Sequence, residues 1–317
     1  MVLLELENVC AYYSLSGGQV KAVDEVTLNL DKGESLGLAG ESGCGKTTLA
    51  LAIMRLLPAN GKIVHGRILF DGVNLLELSE SELNRDYRWK RMALTFQGAM
   101  NAMNPVFTVG NQISEAILQH ENVSKEEALE RSKKLLSLVG IDPSRTDSYP
   151  HELSGGMKQR CMIAMSLSCN PDFLIADEPT TALDVIVQDQ ILKLTKRLQR
   201  ELNLSMMLIT HDLSVIAKTC ESLAIMYAGR IVEYSDIKTV FRNPLHPYTK
   251  ALIEAFPSIL AEKTELVSIP GSPPQLLNPP DCCLFHKRCP LSKELCRREK
   301  PRFVEVEPNH YVSCHLL

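Results

Sequence analysis

No stretch constrains this chain more than Gly40-Glu-Ser-Gly-Cys-Gly-Lys-Thr47. It fits the pattern G-x-x-x-x-G-K-[ST], whose glycines let the backbone curl until several N–H groups point at one anion. The strand-like segment Ser35 to Ala39 leads into the loop, and Thr48 to Leu57 follows as a helix ended by Pro58. A strand, a glycine loop and a helix N-terminus together form a phosphate cradle. Lys46 is placed to neutralise β- and γ-phosphate charge, and the Thr47 hydroxyl to bind Mg2+. The candidate nucleotide contacts here are Gly40, Ser42, Gly43, Cys44, Gly45, Lys46, Thr47 and Thr48.

Around this loop the chain alternates. Leu3 to Val9, Val26 to Leu30, Arg67 to Phe70 and Met92 to Phe96 read as strands, and Asp71-Gly72 as a turn. From about residue 98 to 158 the texture is helical, with Leu129, Leu135, Leu136 and Val139 on a helical period among Lys and Glu. Strand signals return at Phe173 to Ala176, Met206 to Thr210 and Leu223 to Tyr227. Strands alternating with helices predict an α/β fold with a largely parallel, covered sheet and an inserted helical subdomain. Beyond Tyr234 the chain turns proline-rich, at Asn243-Pro-Leu-His-Pro-Tyr248 and Ile269-Pro-Gly-Ser-Pro-Pro274. That composition predicts an extended arm, ending in a small module and unable to extend the parallel sheet.

Phe173-Leu-Ile-Ala-Asp177-Glu178 is a buried strand that delivers two adjacent carboxylates at its C-terminal end, the edge where open α/β sheets bind ligands. Asp177 can hold Mg2+, directly or through water, and Glu178 can polarise the water that attacks the γ-phosphate. His211 and Gln97 also follow strands and so belong to the same edge. Leu153-Ser-Gly-Gly-Met157 opens another helix, and Ser154, Gly155, Gly156 and Met157 form a second anion-binding terminus. One triphosphate does not need two cradles from one chain, so the second serves a nucleotide held by a facing subunit.

The ordered set of lysine loop, Gln97, Leu153-Ser-Gly-Gly, Asp177-Glu178, Ala182-Leu-Asp184 and His211 resembles the ATP-binding-cassette (ABC) ATPases, over residues 1 to about 235. That resemblance implies a P-loop domain with a RecA-like parallel core, an N-terminal antiparallel β subdomain and a helical subdomain. It implies that Gln97 senses Mg2+ and the γ-phosphate alongside Thr47 and Asp177, that His211 contacts the γ-phosphate, and that Asp184 lies at a dimer seam. It also implies an aromatic residue stacked on adenine, for which Tyr13 is the choice and Tyr12 the adjacent rival.

Asn104-Pro-Val-Phe-Thr-Val-Gly110, Thr180-Thr-Ala-Leu-Asp-Val185, Met157, His246-Pro-Tyr248 and the proline-cysteine tail are similar to the oligopeptide and dipeptide importer branch, in its D-type ATPase subunit. This implies domains at 1–235 and 236–317 and a location on the cytoplasmic face of the membrane. The implied partners are a second, non-identical ATPase, two membrane-spanning permeases and an external solute-binding protein. Gly98-Ala-Met100 departs from the Asp-Pro-Met common in relatives, in a segment expected to face a permease.

Of 10 cysteines, five crowd into the tail. Cys283-x5-Cys289-x6-Cys296-x17-Cys314 brings four thiols into a short segment that would benefit from a staple. Disulfides are disfavoured in the cytosol, and four thiolates suit zinc or an iron–sulfur cluster. The spacing lacks the Cys-x2-Cys knuckle usual for structural zinc. The resemblance to the importer branch implies a [4Fe-4S] cluster at these four, with zinc as runner-up and Cys282 as the spare.

The formal net charge of −4 announces no nucleic-acid partner. No apolar run reaches the roughly 18 residues of a spanning helix, and MVLLELENVC has neither the basic region nor the cleavage site of a secretory signal. The rival functions are an ABC ATPase acting on DNA or ribosomes, and a P-loop kinase. The first usually carries two cassettes or long coiled coils, and the second leaves Ser154-Gly155-Gly156 without a role.

Overall fold

The computed structural model describes residues 1–96, 98, 102–181, 183–255 and 269–317. Along the chain come strands β1 (Val2–Leu15), β2 (Gly18–Asp31) and β3 (Ser35–Ala39), then helix α1 (Lys46–Ile53). Strands β4 (Gly61–Phe70) and β5 (Val73–Asn74), the short helix α2 (Glu80–Glu82) and strand β6 (Met92–Thr95) follow. Next are helices α3 (Val109–His120), α4 (Lys125–Leu138) and α5 (Gly155–Ser166), strand β7 (Phe173–Asp177), helix α6 (Val185–Glu201), strand β8 (Ser205–Ile209) and helix α7 (Leu213–Thr219). The chain closes with β9 (Ser222–Tyr227), β10 (Arg230–Asp236), α8 (Ile237–Arg242), α9 (Pro247–Glu254), α10 (Glu294–Arg298), β11 (Val304–Glu307) and β12 (His310–Val312).

Packing divides the described residues into two units. One comprises Met1, Asp31–Glu34 and Glu77–Leu208; the other comprises Val2–Leu30, Ser35–Leu76 and Ile209–Leu317.

The first unit holds the predicted helical stretch. Its core joins Val109, Ile113 and Ile117 of α3, Ala128 and Leu136 of α4, Cys161 and Ala164 of α5, and Ile191, Leu194 and Leu198 of α6. Those α6 residues recur at i, i+3 and i+7, the period of a single buried helical face. A side-chain oxygen opens each main helix: Thr108 accepts from Asn111 N (3.3 Å), Ser124 from Glu127 N (3.1 Å), Ser154 from Met157 N (3.4 Å) and Asp184 from Val187 N (2.9 Å). Strands β6 and β7 pair in parallel, Met92 opposite Phe173 and Thr95 opposite Ala176. All five residues of β7 are buried, as expected of a strand covered on both faces.

The second unit contains an antiparallel sheet, in the order β2-β1-β4-β5, with Leu4 opposite Phe70 and Tyr12 opposite Lys62. It also contains the order β11-β12-β10-β9-β3, in which β3 and β9 are parallel and the other pairs antiparallel. The α/β class stands. The tail differs from the extended arm expected of it. Pro247 occupies the first turn of α9, where a missing N–H costs nothing, and His246 Nδ1 caps that helix from Tyr248 N at 3.0 Å. The chain then returns to the sheet, antiparallel, through a hairpin turned at Pro308-Asn309, where Asn309 takes φ 59°.

Candidate functional site

In the second unit β3 delivers the chain to Gly40, and the lysine loop follows. Gly40 (φ 154°) and Gly45 (φ 112°) have conformations closed to most side chains. A Cβ would lie 2.1 Å from Met226 O at Gly40 and 2.0 Å from Ala22 O at Gly45. The N-cap of α1 is Gly45, which has no side chain to cap the helix. Lys46 is 7% exposed and its Nζ donates to the carbonyls of Gly40 (2.8 Å) and Glu41 (3.0 Å). The ammonium is thereby folded over the loop, while Ser42, Gly43 and Thr47 lie exposed. Burial raises the Cys44 thiol pKa, against the pull of Lys46, and keeps it protonated.

Tyr13 and Tyr12 are distinguished by their hydroxyls. Tyr13 Oη lies 3.2 Å from Thr48 Oγ1, at the residue after Thr47. Tyr12 Oη donates to Asp24 Oδ1 at 2.5 Å, and Asp24 also accepts from Arg230 Nε at 2.9 Å. Burial, and then the bond to Asp24, push the Tyr12 phenol upward, so it stays neutral. His211 is exposed and follows Thr210, whose N–H bonds Leu38 O of β3 at 3.3 Å.

In the first unit β7 ends on Asp177, 2% exposed, and Glu178 follows with φ 47°. A left-handed glutamate is strained backbone, of the kind that clusters at working sites. Its Oε2 accepts from Thr181 Oγ1 at 2.9 Å. Ser154 is exposed at the start of α5, and a Cβ on Gly156 would meet Val187 Cγ1 at 2.6 Å, so the glycine lets α5 and α6 approach. Asp184, Val185 and Ile186 are exposed at the start of α6. Gln97, Ala99, Met100 and Ala182 lie outside the described residues.

All ten cysteines are free thiols. Cys283 is pushed up to about 11 by burial and then by the neighbouring thiols of Cys296, Cys314 and Cys289. Burial also raises Cys314, which has Cys289 and Cys296 as neighbours, and Cys289, which has Cys296. Cys282 stands apart, 3.8 Å from His286 Nδ1. Among the described residues no group of three or more His, Cys, Asp or Glu side chains is close enough to hold a single metal ion.

The chain matches the family model described as ABC transporter over residues 23–181, and the model for the oligopeptide/dipeptide transporter C-terminal region over residues 232–296. It belongs to the ABC transporter family. It is 46% identical to the probable peptide ABC transporter ATP-binding protein y4tR of Sinorhizobium fredii, over 99% of this chain and 94% of that protein. The dipeptide transport ATP-binding protein DppD of Bacillus subtilis is 45% identical over the same shares. The oligopeptide transport ATP-binding protein OppD of Escherichia coli is 45% identical, over 98% of this chain and 92% of its own. Among solved structures, the dimeric ATP-binding cassette MJ0796 bound to ADP and Pi superimposes with TM-score 0.66 at 28% identity, over 74% of this chain and 99% of that one.

As an ABC transporter ATP-binding subunit, the chain is an ATPase coupled to transport, and the readings as a kinase or as a DNA- or ribosome-acting ATPase fall away. No helix among its described residues is long and apolar enough to cross a membrane. Sequence reasoning passed over one feature of the phosphate loop of this ABC subunit. Glu41 occupies a variable position of the motif, yet its carboxylate receives both Nη atoms of Arg288, at 2.6 and 2.8 Å. An acidic residue inside an anion cradle was the available signal; nothing in the sequence pointed to Arg288 as its partner.

Proposed function

We propose that this chain powers the import of peptides, as one of two different ATPase subunits beneath a pair of permeases served by an external solute-binding protein. The observation that carries the reading is the presence, in one chain, of the lysine loop and of a C-terminal region matched to oligopeptide/dipeptide transporters. The 1–235 segment is then the ATPase domain and 236–317 its appended module, peripheral on the cytoplasmic face.

In the proposed site Gly40, Ser42, Gly43, Cys44, Gly45 and Thr48 line the phosphates through backbone and side-chain donors. Lys46 exchanges its loop carbonyls for phosphate oxygens. Thr47, Asp177 and Gln97 would hold Mg2+, whose contribution when bound would be charge neutralisation at the transferred phosphoryl group. Glu178 orients the attacking water, and His211 contacts the γ-phosphate. Tyr13 stacks on adenine; its hydroxyl contact with Thr48 supports this choice over Tyr12, whose hydroxyl is bound to Asp24. Ser154, Gly155, Gly156 and Met157 close over ATP held by the partner ATPase, with Asp184 at the seam. Glu178→Gln is expected to abolish turnover while ATP still binds; unchanged hydrolysis would remove Glu178 from its role. Peptide uptake by cells lacking only this subunit tests the cargo.

We further assign Cys283, Cys289, Cys296 and Cys314 as the ligands of an iron–sulfur cluster, with a structural role. Four thiols gathered in one short segment support the assignment, and the lack of the Cys-x2-Cys knuckle usual for structural zinc favours the cluster. Iron and sulfide in anaerobically purified protein are the expected result; colourless protein with stoichiometric zinc would overturn it.

A further inference from the structure

Arg288 lies between Phe285 and Cys289 of the C-terminal segment, and its side chain is 5% exposed. Its Nε donates to Pro270 O at 2.8 Å, and Nη2 also approaches Ile269 O at 3.5 Å. Nη1 lies 3.4 Å from the Tyr227 hydroxyl, and the guanidinium carbon sits 5.8 Å from the centre of that ring. The remaining face grips Glu41 through the two bonds given above, the parallel fork geometry that arginine makes with a carboxylate. Glu41 is held at a second point, because its backbone N–H donates to Tyr248 Oη at 3.0 Å. Tyr248 in turn packs on Tyr227 and Phe285, with ring centres 4.6 and 5.4 Å apart.

This carboxylate sits in the loop that must accept a triphosphate. Left unpaired, it would oppose the phosphates at short range, where like charges in a partly buried site repel strongly. Its carbonyl also accepts from Lys46 Nζ and from Cys44 N (3.3 Å), so displacing Glu41 disturbs the cradle itself.

We propose that Arg288 is a positioning residue for ATP binding. It neutralises Glu41 and pins the start of the phosphate loop, so nucleotide affinity depends on the seating of the C-terminal segment. The inference rests on assigning the lysine loop to ATP. It adds a residue about 240 positions from the loop in sequence.

The test is a double-mutant cycle on the full-length chain, reading the Kd of ATP by titration and the melting temperature in parallel. Arg288→Met, which fills the same buried space without charge, should raise the ATP Kd about tenfold or more. In a Glu41→Gln background the same change should cost about threefold or less, because no carboxylate is left to repel phosphate. A purely structural arginine would cost the same in both backgrounds, and that result overturns the proposal, as does an Arg288→Met variant that binds like the parent. If Arg288→Met does not fold, Arg288→Lys replaces it in both backgrounds: it keeps charge, loses the fork, and should show a smaller penalty that again vanishes with Glu41→Gln. A parent chain that fails to bind ATP would sink the nucleotide assignment and this inference together. Normal parent binding with additive variants would sink the inference alone.

Discussion

Glu233 of β10 is fully buried and accepts three hydrogen bonds: Leu245 N and His310 Nε2 at Oε1, both 2.8 Å, and His246 N at Oε2, 2.9 Å. One carboxylate therefore joins β10, the turn before α9 and the terminal strand β12. Glu233→Ala leaves three buried donors without acceptors, at about 1–3 kcal/mol each before relaxation. Water entering the space lowers that sum to a net cost of about 3 kcal/mol or more. The expected effect is a loss of about a hundredfold or more in hydrogen-exchange protection at the amides of Leu245 and His246, since 1.4 kcal/mol is about tenfold. Glu233→Gln sharpens the test. An amide oxygen at the Oε1 position keeps Leu245 and His310 but points an NH2 group at the His246 N–H. His246 should then lose more protection than Leu245. Equal loss at both amides, or protection within about threefold of the parent in Glu233→Ala, would refute the reasoning.

His246 is fully buried and its imidazole pKa is lowered to about 3 by that burial. The unfolded chain therefore takes up a proton near pH 6.5 that the folded chain refuses, so stability falls as pH drops from about 6.5 toward 3, by up to about 1.4 kcal/mol per unit. His246→Asn keeps a cap for Tyr248 N and removes the titration; urea unfolding between pH 6 and 4 should show a shallower pH slope by up to about one proton. Gly45→Ala places a Cβ 2.0 Å from Ala22 O at φ 112°, forcing the loop to shift. ATP binding by that variant, followed by titration, should be lost while the far-ultraviolet circular dichroism stays that of the parent.

Much of the fold was legible because its signals are local. Leu36–Ala39 and Phe173–Ala176 are continuously apolar up to the glycine loop and the Asp177-Glu178 pair, the pattern of strands buried on both faces. Glycine loops and Ser caps mark helix starts within three residues of themselves, so α5 begins where Ser154 indicated, whereas the capping of α6 by Asp184 was seen only in the structure. Strand lengths were less legible. β1 runs on to Leu15 and β2 starts at Gly18, well past the apolar cores at Leu3 to Val9 and Val26 to Leu30, because half-exposed hairpin ends are set by pairing and not by burial. The tail misled for the same reason in reverse. Proline was read as a breaker, whereas Pro247 starts a helix, and the weak alternation at Val304 to Val312 acquires meaning only beside β10.

What no local signal could supply is the pairing of charges distant in sequence, and here it decides how the C-terminal segment relates to the ATP-binding part. Two carboxylates before residue 235, Glu41 and Glu233, find their cationic or N–H partners only after residue 244, in Arg288, Leu245, His246 and His310. Ending the chain near residue 235 would remove the Leu245, His246 and His310 donors of the Glu233 carboxylate and leave Glu41 uncompensated in a phosphate cradle. The second state is costly because an uncompensated carboxylate repels the phosphates that the loop must hold. A removable appendage would leave the parent domain satisfied when cut away. The distribution of partners makes this segment part of the phosphate loop's electrostatic environment.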